Sequence, residues 1–267
     1  MPPILYGTAW KKEATGRLVS AAIEHGFRGF DTAGQPKHYD EAGVGAGVAR
    51  SLGGRLDRAD LYLQTKFSPA GGQDPTSIPF DPKASTTDQV SQSFTASLRN
   101  LQTTYVDCLV LHSPLASARR TLEVWRAMEA HVADGSVRSL GISNCYRLEQ
   151  LEELHEAARI KPAVVQNRFY ADTGYDRDIR GFCRRRRIVY QSFWTLTANP
   201  HLLAHGALTT LASKYQRTPA QVLFRYLTLR DVVPLTGTRS PVHMRDDLAI
   251  FEFELDDREL DAVDALL

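Results

Sequence analysis

The chain has 267 residues, of which 43% are hydrophobic and 24% are charged. This length and composition can fill the core of one large α/β barrel, which usually needs about 250 residues. The formal net charge of +1 gives no surplus of either sign, which argues against a nucleic-acid partner.

Eight short apolar segments alternate with stretches of helical period along the chain. The predicted strands cover residues 4–6, 29–30, 61–64, 106–111, 137–142, 163–166, 188–191 and 232–235. The clearest predicted helices cover residues 18–25, 88–101, 120–133, 148–158 and 220–227. Strand followed by helix, repeated eight times, predicts an α/β fold of the (β/α)8 type, a TIM barrel. No linker or change of composition divides residues 1–267, so we expect a single domain.

A doubly wound open sheet is the main alternative fold. Such sheets carry a GxGxxG motif directly after the first strand, whereas Gly43, Gly45 and Gly47 fall in a predicted helix after the second strand. We expect these glycines to permit close helix packing rather than to hold a phosphate. Helix starts are predicted at Thr87 and at Thr218, the latter followed by a proline.

Polar residues end several of the predicted strands. Asp31, Lys66 and His112 end the second, third and fourth strands, and Tyr39 lies in the loop after Asp31. Singly, each has an ordinary explanation: a helix cap, a solvated lysine, a turn histidine or a helix-start aromatic. Together they predict one catalytic site, because the carboxyl ends of barrel strands meet at the face where active sites lie.

These four residue types suit the protonation of an oxygen atom. An ammonium beside a tyrosine lowers the phenol pKa from near 10 toward the working range. Asp31 would keep a buried Lys66 charged, and a neutral His112 would orient a carbonyl oxygen. No residue of the set is an obvious nucleophile, so a cofactor is expected to deliver a hydride.

Nearly the whole chain resembles the aldo-keto reductase superfamily. The matching stretches, in family order, are GTAW, GFRGFDTA, TKF, SLRNLQTTYVDCLVLHSP, GSVRSLGISN, VVQNRFY, TPAQVLFRYL and FEFELDDREL. The resemblance implies Asp31, Tyr39, Lys66 and His112 as the catalytic tetrad. It implies NAD(P)H-dependent reduction of an aldehyde or ketone to an alcohol, with Tyr39 as the proton donor and a small carbonyl compound as the partner.

The resemblance also implies a cofactor site. Ser143, Asn144, Gln166 and Phe193 are expected at the nicotinamide, and Leu196 at the pyrophosphate. The segment after the eighth strand precedes a predicted helix, whose N-terminus favours an anion. The residues expected on the adenosine side are Thr236, Gly237, Thr238, Arg239, His243 and Asp247.

The loop before Tyr39 departs from the family pattern. It carries an extra Gln-Pro-Lys, which makes Lys37 and His38 alternative proton donors. We prefer Tyr39, because the acidic pair Asp40-Glu41 follows it as in the family.

The segment after the eighth strand departs as well. Many NADPH-preferring members have a lysine and an arginine where Gly237 and His243 stand here. Arg239 and Arg245 could supply the charge that a 2′-phosphate requires, so NADPH is expected and NADH is the alternative.

The sequence predicts an open substrate pocket. The chain ends soon after its last helical pattern, so the long closing loop of many members is expected to be absent. Trp10, Phe67, Phe80 and Trp194 are the expected aromatic walls, each with a competing role in the core or as a loop anchor. Trp125 lies within a helical pattern and is assigned to the core.

Cellular location and assembly follow from what the sequence lacks. The first ten residues have no signal-peptide pattern, and no apolar run approaches the ~20 residues of a membrane helix. Cys108, Cys145 and Cys183 are widely spaced, which predicts reduced, buried thiols in a cytoplasmic protein. No exposed apolar stripe is visible, so a monomer without a bound metal is expected.

Two other functions are compatible with parts of the pattern. One is a non-catalytic, cofactor-binding regulatory subunit of the same family type, which the complete tetrad argues against. The other is a metal-dependent barrel hydrolase with Asp31 and His112 as ligands. The lack of further histidines or carboxylates at the other strand ends argues against that hydrolase.

Overall fold

A closed barrel of eight parallel strands, in sequential order, forms the centre of the protein. The computed structural model describes residues 1–53 and 56–267. The strands are β1 (Leu5–Gly7), β2 (Gly29–Asp31), β3 (Tyr62–Phe67), β4 (Cys108–Leu111), β5 (Leu140–Ser143), β6 (Val164–Arg168), β7 (Val189–Phe193) and β8 (Val232–Thr236). β1 pairs with β8, with Leu5 opposite Leu235, and so closes the ring. The predicted (β/α)8 barrel is confirmed.

Helices surround the barrel and alternate with its strands. They are α1 (Thr15–His25), α2 (Glu41–Ser51), α3 (Thr86–Leu101), α4 (Ala118–Ala133), α5 (Leu148–Ala157), α6 (Arg177–Arg186), α7 (Pro200–Ala204), α8 (Gly206–Tyr215), α9 (Pro219–Leu229), α10 (Pro241–Leu248) and α11 (Asp257–Asp264). The five helices predicted from periodicity are present, with ends displaced by at most a few residues. None of the described helices has the length and apolar character to cross a bilayer.

Two helix starts illustrate how local chemistry sets the ends. The predicted start at Thr218 is confirmed: its hydroxyl accepts from the Gln221 N–H, and the Gln221 side chain accepts from the Thr218 N–H, which forms a capping box. In α3 the cap is Ser85, whose hydroxyl accepts from the Asp88 N–H. The predicted start at Thr87 is therefore two residues late, because Thr87 already lies in the first helical turn.

The glycines of α2 allow it to pack directly on its neighbours. A Cβ atom on Gly45 would lie 2.1 Å from the Asn100 carbonyl oxygen, and one on Gly47 would lie 2.6 Å from the Gly16 carbonyl oxygen. These distances are far below van der Waals contact, so only glycine permits this approach. The prediction of a packing role is confirmed.

Two further expectations about the core hold. Trp125 is fully buried, and its indole N–H donates to the Ile160 carbonyl at 2.9 Å. The three cysteines are buried and free.

Candidate active site

The ends of β2 and β3 bring Asp31 and Lys66 together inside the barrel mouth. Lys66 Nζ donates to the two Asp31 carboxylate oxygens at 2.7 and 2.6 Å, and to the Thr32 carbonyl at 2.8 Å. Burial alone would lower the pKa of Lys66, but the charge of Asp31, together with the interaction with Tyr39, outweighs burial and raises that pKa. The ammonium therefore stays charged although it is buried.

Tyr39 lies above this pair and faces His112. Lys66 Nζ is 5.1 Å from the centroid of the Tyr39 ring, and the Tyr39 and His112 rings meet edge to face at 6.0 Å. The lengthened loop forms a compact turn, in which the Tyr39 N–H donates to the Gln35 carbonyl at 3.1 Å. That turn directs Tyr39 into the barrel mouth.

Of the two alternative donors from the same loop, His38 lines the cavity at the barrel mouth and Lys37 does not. Lys37 is exposed, outside the cavity at the barrel mouth. The His38 ring stacks on Trp10, with centroids 3.9 Å apart. Tyr39 is therefore the member of this loop that meets both Lys66 and His112.

The pKa of Tyr39 differs from the sequence expectation. Burial raises it by more than Lys66 lowers it, and the charge of Asp31 adds to the increase. The predicted net lowering is wrong for this structure, because the effect of burial outweighs that of the Lys66 charge. The Tyr39 hydroxyl consequently holds its proton at neutral pH, which is the form that a proton donor needs.

His112 is a neutral imidazole with a fixed orientation. Burial, followed by the charges of Lys66 and His38, lowers its pKa to about 3. The Ser68 hydroxyl lies 2.5 Å from Nδ1, and Asn144 Nδ2 donates to the His112 carbonyl at 2.8 Å. A hydroxyl that donates to Nδ1 leaves the ring proton on Nε2. Ser68 was not predicted as a site residue, because it stands in an ordinary loop context after β3.

Two glutamine side chains in the barrel interior donate hydrogen bonds to the Asp31 carboxylate. Gln64 Nε2 donates to Asp31 Oδ1 at 2.7 Å, and Gln166 Nε2 donates to the same oxygen at 2.9 Å. Gln166 Nε2 also donates to Gln191 Oε1 at 2.9 Å. Both N–H groups of Gln166 thus point inward, and among the described residues none donates to its Oε1. Gln64 and Gln191 were not predicted as site residues.

A cavity of about 240 Å³ opens above these groups. The predicted site residues that line it are Asp31, Tyr39, His112, Ser143, Asn144, Gln166, Phe193, Trp10, Trp194, Thr236 and Gly237. Arg168, which was not predicted as a site residue, lines it as well. The structure therefore brings most of the predicted catalytic and nicotinamide-site residues to one cavity.

A second cavity of about 410 Å³ continues from the first toward α10. The two share Trp194, Leu235, Thr236 and Gly237 as lining residues. The other predicted cofactor residues that line the second cavity are Leu196, Thr238, His243 and Asp247. Together the two cavities form one trough. We call its second part, the cavity of about 410 Å³, the cofactor groove.

Arg239 and Arg245 lie outside the residues that line the groove. The Arg239 guanidinium reaches the loop after β1 and donates to the Trp10 carbonyl. Asp247 accepts from the Thr236 hydroxyl at 2.6 Å, and burial raises the pKa of its carboxyl to about 6.

A buried lysine that was not predicted lies at the edge of the groove. Lys11 is 2% exposed, and its Nζ donates to the Gly237 carbonyl at 2.7 Å. Burial and the charge of Arg239 lower its pKa to about 8. Nothing in the local sequence Trp10-Lys11-Lys12 distinguishes this lysine from its exposed neighbour.

Two of the predicted aromatic walls are not brought to the cavity. Phe67 and Phe80 are buried in the hydrophobic core and pack on each other, with ring centroids 5.6 Å apart. Since neighbouring residues of a strand point to opposite faces, Phe67 faces the outer layer when Lys66 faces the interior. The assignment of these two residues to the substrate pocket is therefore corrected.

The site has no arrangement suited to a metal ion within residues 1–53 and 56–267. No group of three or more histidine, cysteine or acidic side chains converges there. Asp31, the ligand expected in the hydrolase alternative, already accepts bonds from Lys66, Gln64 and Gln166.

Two structural observations indicate that the trough fits an extended dinucleotide. The Gln166 amide oxygen is left as an acceptor beside Ser143 and Asn144, which matches the N–H2 of a carboxamide. At the other end, Ser240 caps α10 by accepting from the His243 N–H, so a helix N-terminus borders the groove.

Comparison with known proteins agrees with this geometry. A family model described as "Aldo/keto reductase family" matches residues 4–267. The chain is 31% identical over 255 residues to a glyoxal reductase of Bacillus subtilis (strain 168), across 95% of this chain and 83% of that protein. It is 28% identical over 280 residues to a morphine 6-dehydrogenase of Pseudomonas putida, across 100% and 88% of the two chains. An aldo/keto reductase structure from Brucella melitensis has a TM-score of 0.85 at 26% identity, covering 100% of this chain and 95% of that one.

Proposed function

The chain belongs to the aldo/keto reductase family and is an oxidoreductase that acts on carbonyl compounds; we propose that it reduces an aldehyde or ketone to the alcohol with a nicotinamide dinucleotide. The observation that carries the proposal is the convergence of Tyr39, Lys66, Asp31 and His112 at one cavity. When bound, a reduced nicotinamide would supply the hydride that the carbonyl carbon accepts. Ser143, Asn144, Gln166 and Phe193 are the proposed contacts to its ring, and Leu196 to its pyrophosphate.

Each member of the proposed tetrad has a distinct role. Tyr39 donates its proton to the carbonyl oxygen, and Lys66 stabilises the phenolate that remains. Asp31 holds the ammonium in place through its paired oxygens. A neutral His112, whose pKa is lowered to about 3, donates from Nε2 and orients the carbonyl oxygen. Trp10 and Trp194, which are 50% and 47% exposed, are the proposed walls for the substrate.

The Tyr39→Phe variant tests this assignment. We expect purified protein to oxidise the reduced nicotinamide only when 4-nitrobenzaldehyde is added. The absorbance of the reduced nicotinamide measures this oxidation. Tyr39→Phe should reduce kcat by at least about a hundredfold, because general acid catalysis contributes that much or more. Nucleotide binding, followed by quenching of tryptophan fluorescence, should persist in the variant and shows that it is folded.

The same measurements address the regulatory-subunit alternative. Nucleotide binding without turnover across a panel of aldehydes and ketones would favour a non-catalytic cofactor-binding role. Absence of binding for both nucleotides would contradict the cofactor part of the proposal.

Cofactor choice is proposed from the charges around the groove. Lys11 and Arg239 bring positive charge to the Gly237 end, where the family lysine is missing. Asp246 and Asp247 line the groove and suit the ribose 2′-hydroxyl of NADH. We propose NADPH as the preferred cofactor and NADH as an accepted second one, with a preference below about tenfold, or 1.4 kcal/mol.

The Lys11→Met variant separates the two cofactors. We expect its Kd for NADPH to rise more than its Kd for NADH, since only NADPH carries the additional phosphate. Tighter binding of NADH than of NADPH by the unaltered protein would overturn the stated preference.

We also propose that residues 1–267 act as one cytoplasmic domain, monomeric and without a nucleic-acid partner. Size-exclusion chromatography with light scattering tests the oligomeric state. A mass near twice the 29.8 kDa of the chain would contradict a monomer.

A further inference from the structure

Arg168 ends β6 at the rim of the substrate cavity. Successive side chains of β6 point in opposite directions. Gln166 and Arg168 line the cavity, whereas Asn167 donates hydrogen bonds on the outer side to the Cys145 carbonyl and to Asp176. The β6 backbone therefore fixes the direction in which the arginine side chain leaves the strand.

Aromatic rings hold the guanidinium of Arg168 without satisfying its N–H groups. Its Cζ lies 4.4 Å from the Trp194 ring centroid and 5.1 Å from the Tyr170 ring centroid. Trp194 adopts a left-handed backbone conformation, with φ of +55°, which is costly for a bulky residue and common at ligand sites. The stacking fixes the plane of a guanidinium that lines the cavity.

No acceptor in the described part of the chain engages this guanidinium. Its Nε is buried without a hydrogen-bond partner, and no carboxylate of the described residues lies within ion-pair distance of it. By contrast, Arg58 and Arg138 both donate to the Asp107 carboxylate at 2.9 Å. A stacked, unpaired guanidinium is a binding group for an anion.

The remaining charges of the cavity do not compensate Arg168. Asp31 is neutralised by Lys66 within the buried pair, and His112 is neutral. The His38 pKa is lowered by burial and by Lys37. Among the described lining residues, Arg168 therefore contributes a net positive charge beside Tyr39 and His112.

We propose that Arg168 binds a carboxylate of the substrate, so that the preferred substrates are small carbonyl compounds with an acid group, such as aldehydic acids and keto acids. This inference rests on the proposed carbonyl reduction. The planar guanidinium fork matches a carboxylate in two parallel hydrogen bonds. Arg168, Tyr39 and His112 line the same cavity, so a carboxylate bound at Arg168 keeps a small substrate beside the proposed proton donor.

Matched substrate pairs test the proposal. We would measure kcat/KM for 4-carboxybenzaldehyde and its methyl ester, and for succinic semialdehyde and its methyl ester. The unaltered protein should prefer each acid. In Arg168→Met the ratio of acid to ester kcat/KM should fall about ten- to a hundredfold, as expected for a charged hydrogen-bonded pair. Arg168→Lys should recover part of that ratio.

A control variant separates local binding from a change in overall charge. Arg147 is exposed and pairs weakly with Glu149 at 3.9 Å, outside the cavity. Arg147→Met removes the same charge and should leave the acid-to-ester ratio as it is. An equal loss of this ratio in both variants would overturn the assignment to Arg168.

The phosphates of the cofactor are the other anions that Arg168 could bind. If the Kd of NADPH rises in Arg168→Met while both members of each substrate pair lose activity equally, the guanidinium serves the cofactor and the proposal is wrong. An acid-to-ester ratio near one in the unaltered protein would also overturn it.

A binding measurement keeps this test independent of turnover. Isothermal titration of benzoate into the NADPH complex should show binding that Arg168→Met abolishes. If no aldehyde is reduced although benzoate binds through Arg168, the proposed reduction fails while the carboxylate site stands. If aldehydes are reduced but benzoate binds equally to the unaltered protein and to Arg168→Met, the proposed carboxylate site is wrong and the proposed reduction stands.

Discussion

Gln64 and Gln191 face each other across the barrel interior and exchange two hydrogen bonds. Gln64 Nε2 donates to Gln191 Oε1 at 2.8 Å, and Gln191 Nε2 donates to Gln64 Oε1 at 2.9 Å. Both side chains are fully buried. Through Gln191 Oε1 the pair also accepts an N–H of Gln166, so it determines which end of the Gln166 amide faces the cavity.

Removing the Gln191 amide should disturb both stability and nicotinamide recognition. Gln191→Met leaves donors of Gln64 and Gln166 without an acceptor, which should lower the free energy of unfolding by about 1–3 kcal/mol. Binding of NADH should weaken relative to its 3-acetylpyridine analogue, which lacks the carboxamide N–H2. Urea unfolding and fluorescence titration measure the two effects, with the exposed Gln92→Met as control. An unchanged preference between the two nucleotides would show that the pair does not orient Gln166.

The Lys66–Asp31 pair should contribute strongly to stability. Lys66→Met leaves the Asp31 carboxylate buried without its cation, and we expect a loss of about 3–5 kcal/mol in the free energy of unfolding. Adding Asp31→Asn should recover part of it, because the uncompensated charge is removed. Denaturant unfolding of the single and double variants checks this. A double variant less stable than Lys66→Met would contradict the electrostatic explanation.

Ser68 should control the proton position on His112. Ser68→Ala removes the hydroxyl 2.5 Å from Nδ1, and the loss of one hydrogen bond worth about 1 kcal/mol corresponds to about fivefold in kcat/KM. Ser68→Thr retains the hydroxyl and should lose less. Nitrogen NMR shifts of His112 report the tautomer directly. A predominant Nδ1–H form in the unaltered protein would refute this assignment.

His112 should also make stability depend on pH. Its pKa is near 6.5 when unfolded and is lowered to about 3 by burial in the folded protein. Between these values the unfolded chain binds the extra proton, so this contribution to stability is present above pH 6.5 and is lost as the pH falls toward 3. In His112→Gln the free energy of unfolding should fall less steeply between pH 6.5 and 4. Parallel curves for both proteins would contradict the buried, neutral state.

Gly45 should tolerate no side chain. An added Cβ would meet the Asn100 carbonyl at 2.1 Å, and overpacking of this kind costs about 1–3 kcal/mol. Gly206 opens α8, and no atom lies within 4 Å of the position that a Cβ would take there, so Gly206→Ala should be neutral or slightly stabilising. Thermal unfolding compares the two variants. Equal melting temperatures would show that α2 can move away from α3.

Much of the site was predictable because barrel topology converts strand ends into neighbours. Asp31, Lys66 and His112 each end an apolar segment, and any closed parallel barrel gathers such residues at one face. The spacing of apolar residues likewise predicted the helices, since it records which face is buried. These features are local in sequence, and no knowledge of distant contacts was needed.

Other properties depend on which distant residues meet when the barrel closes. Gln64 and Gln191 are 127 positions apart, and Lys11 reaches Gly237 across 226 positions, so their sequence neighbourhoods carry no sign of the contact. The pKa of Tyr39 is raised rather than lowered because burial competes with two opposite charges. Arg168 is an ordinary strand-end arginine by sequence. In the tertiary structure its guanidinium stacks on two aromatic rings, and no carboxylate of the described residues pairs with it. That outcome depends on side chains from several elements, so the local sequence does not indicate it.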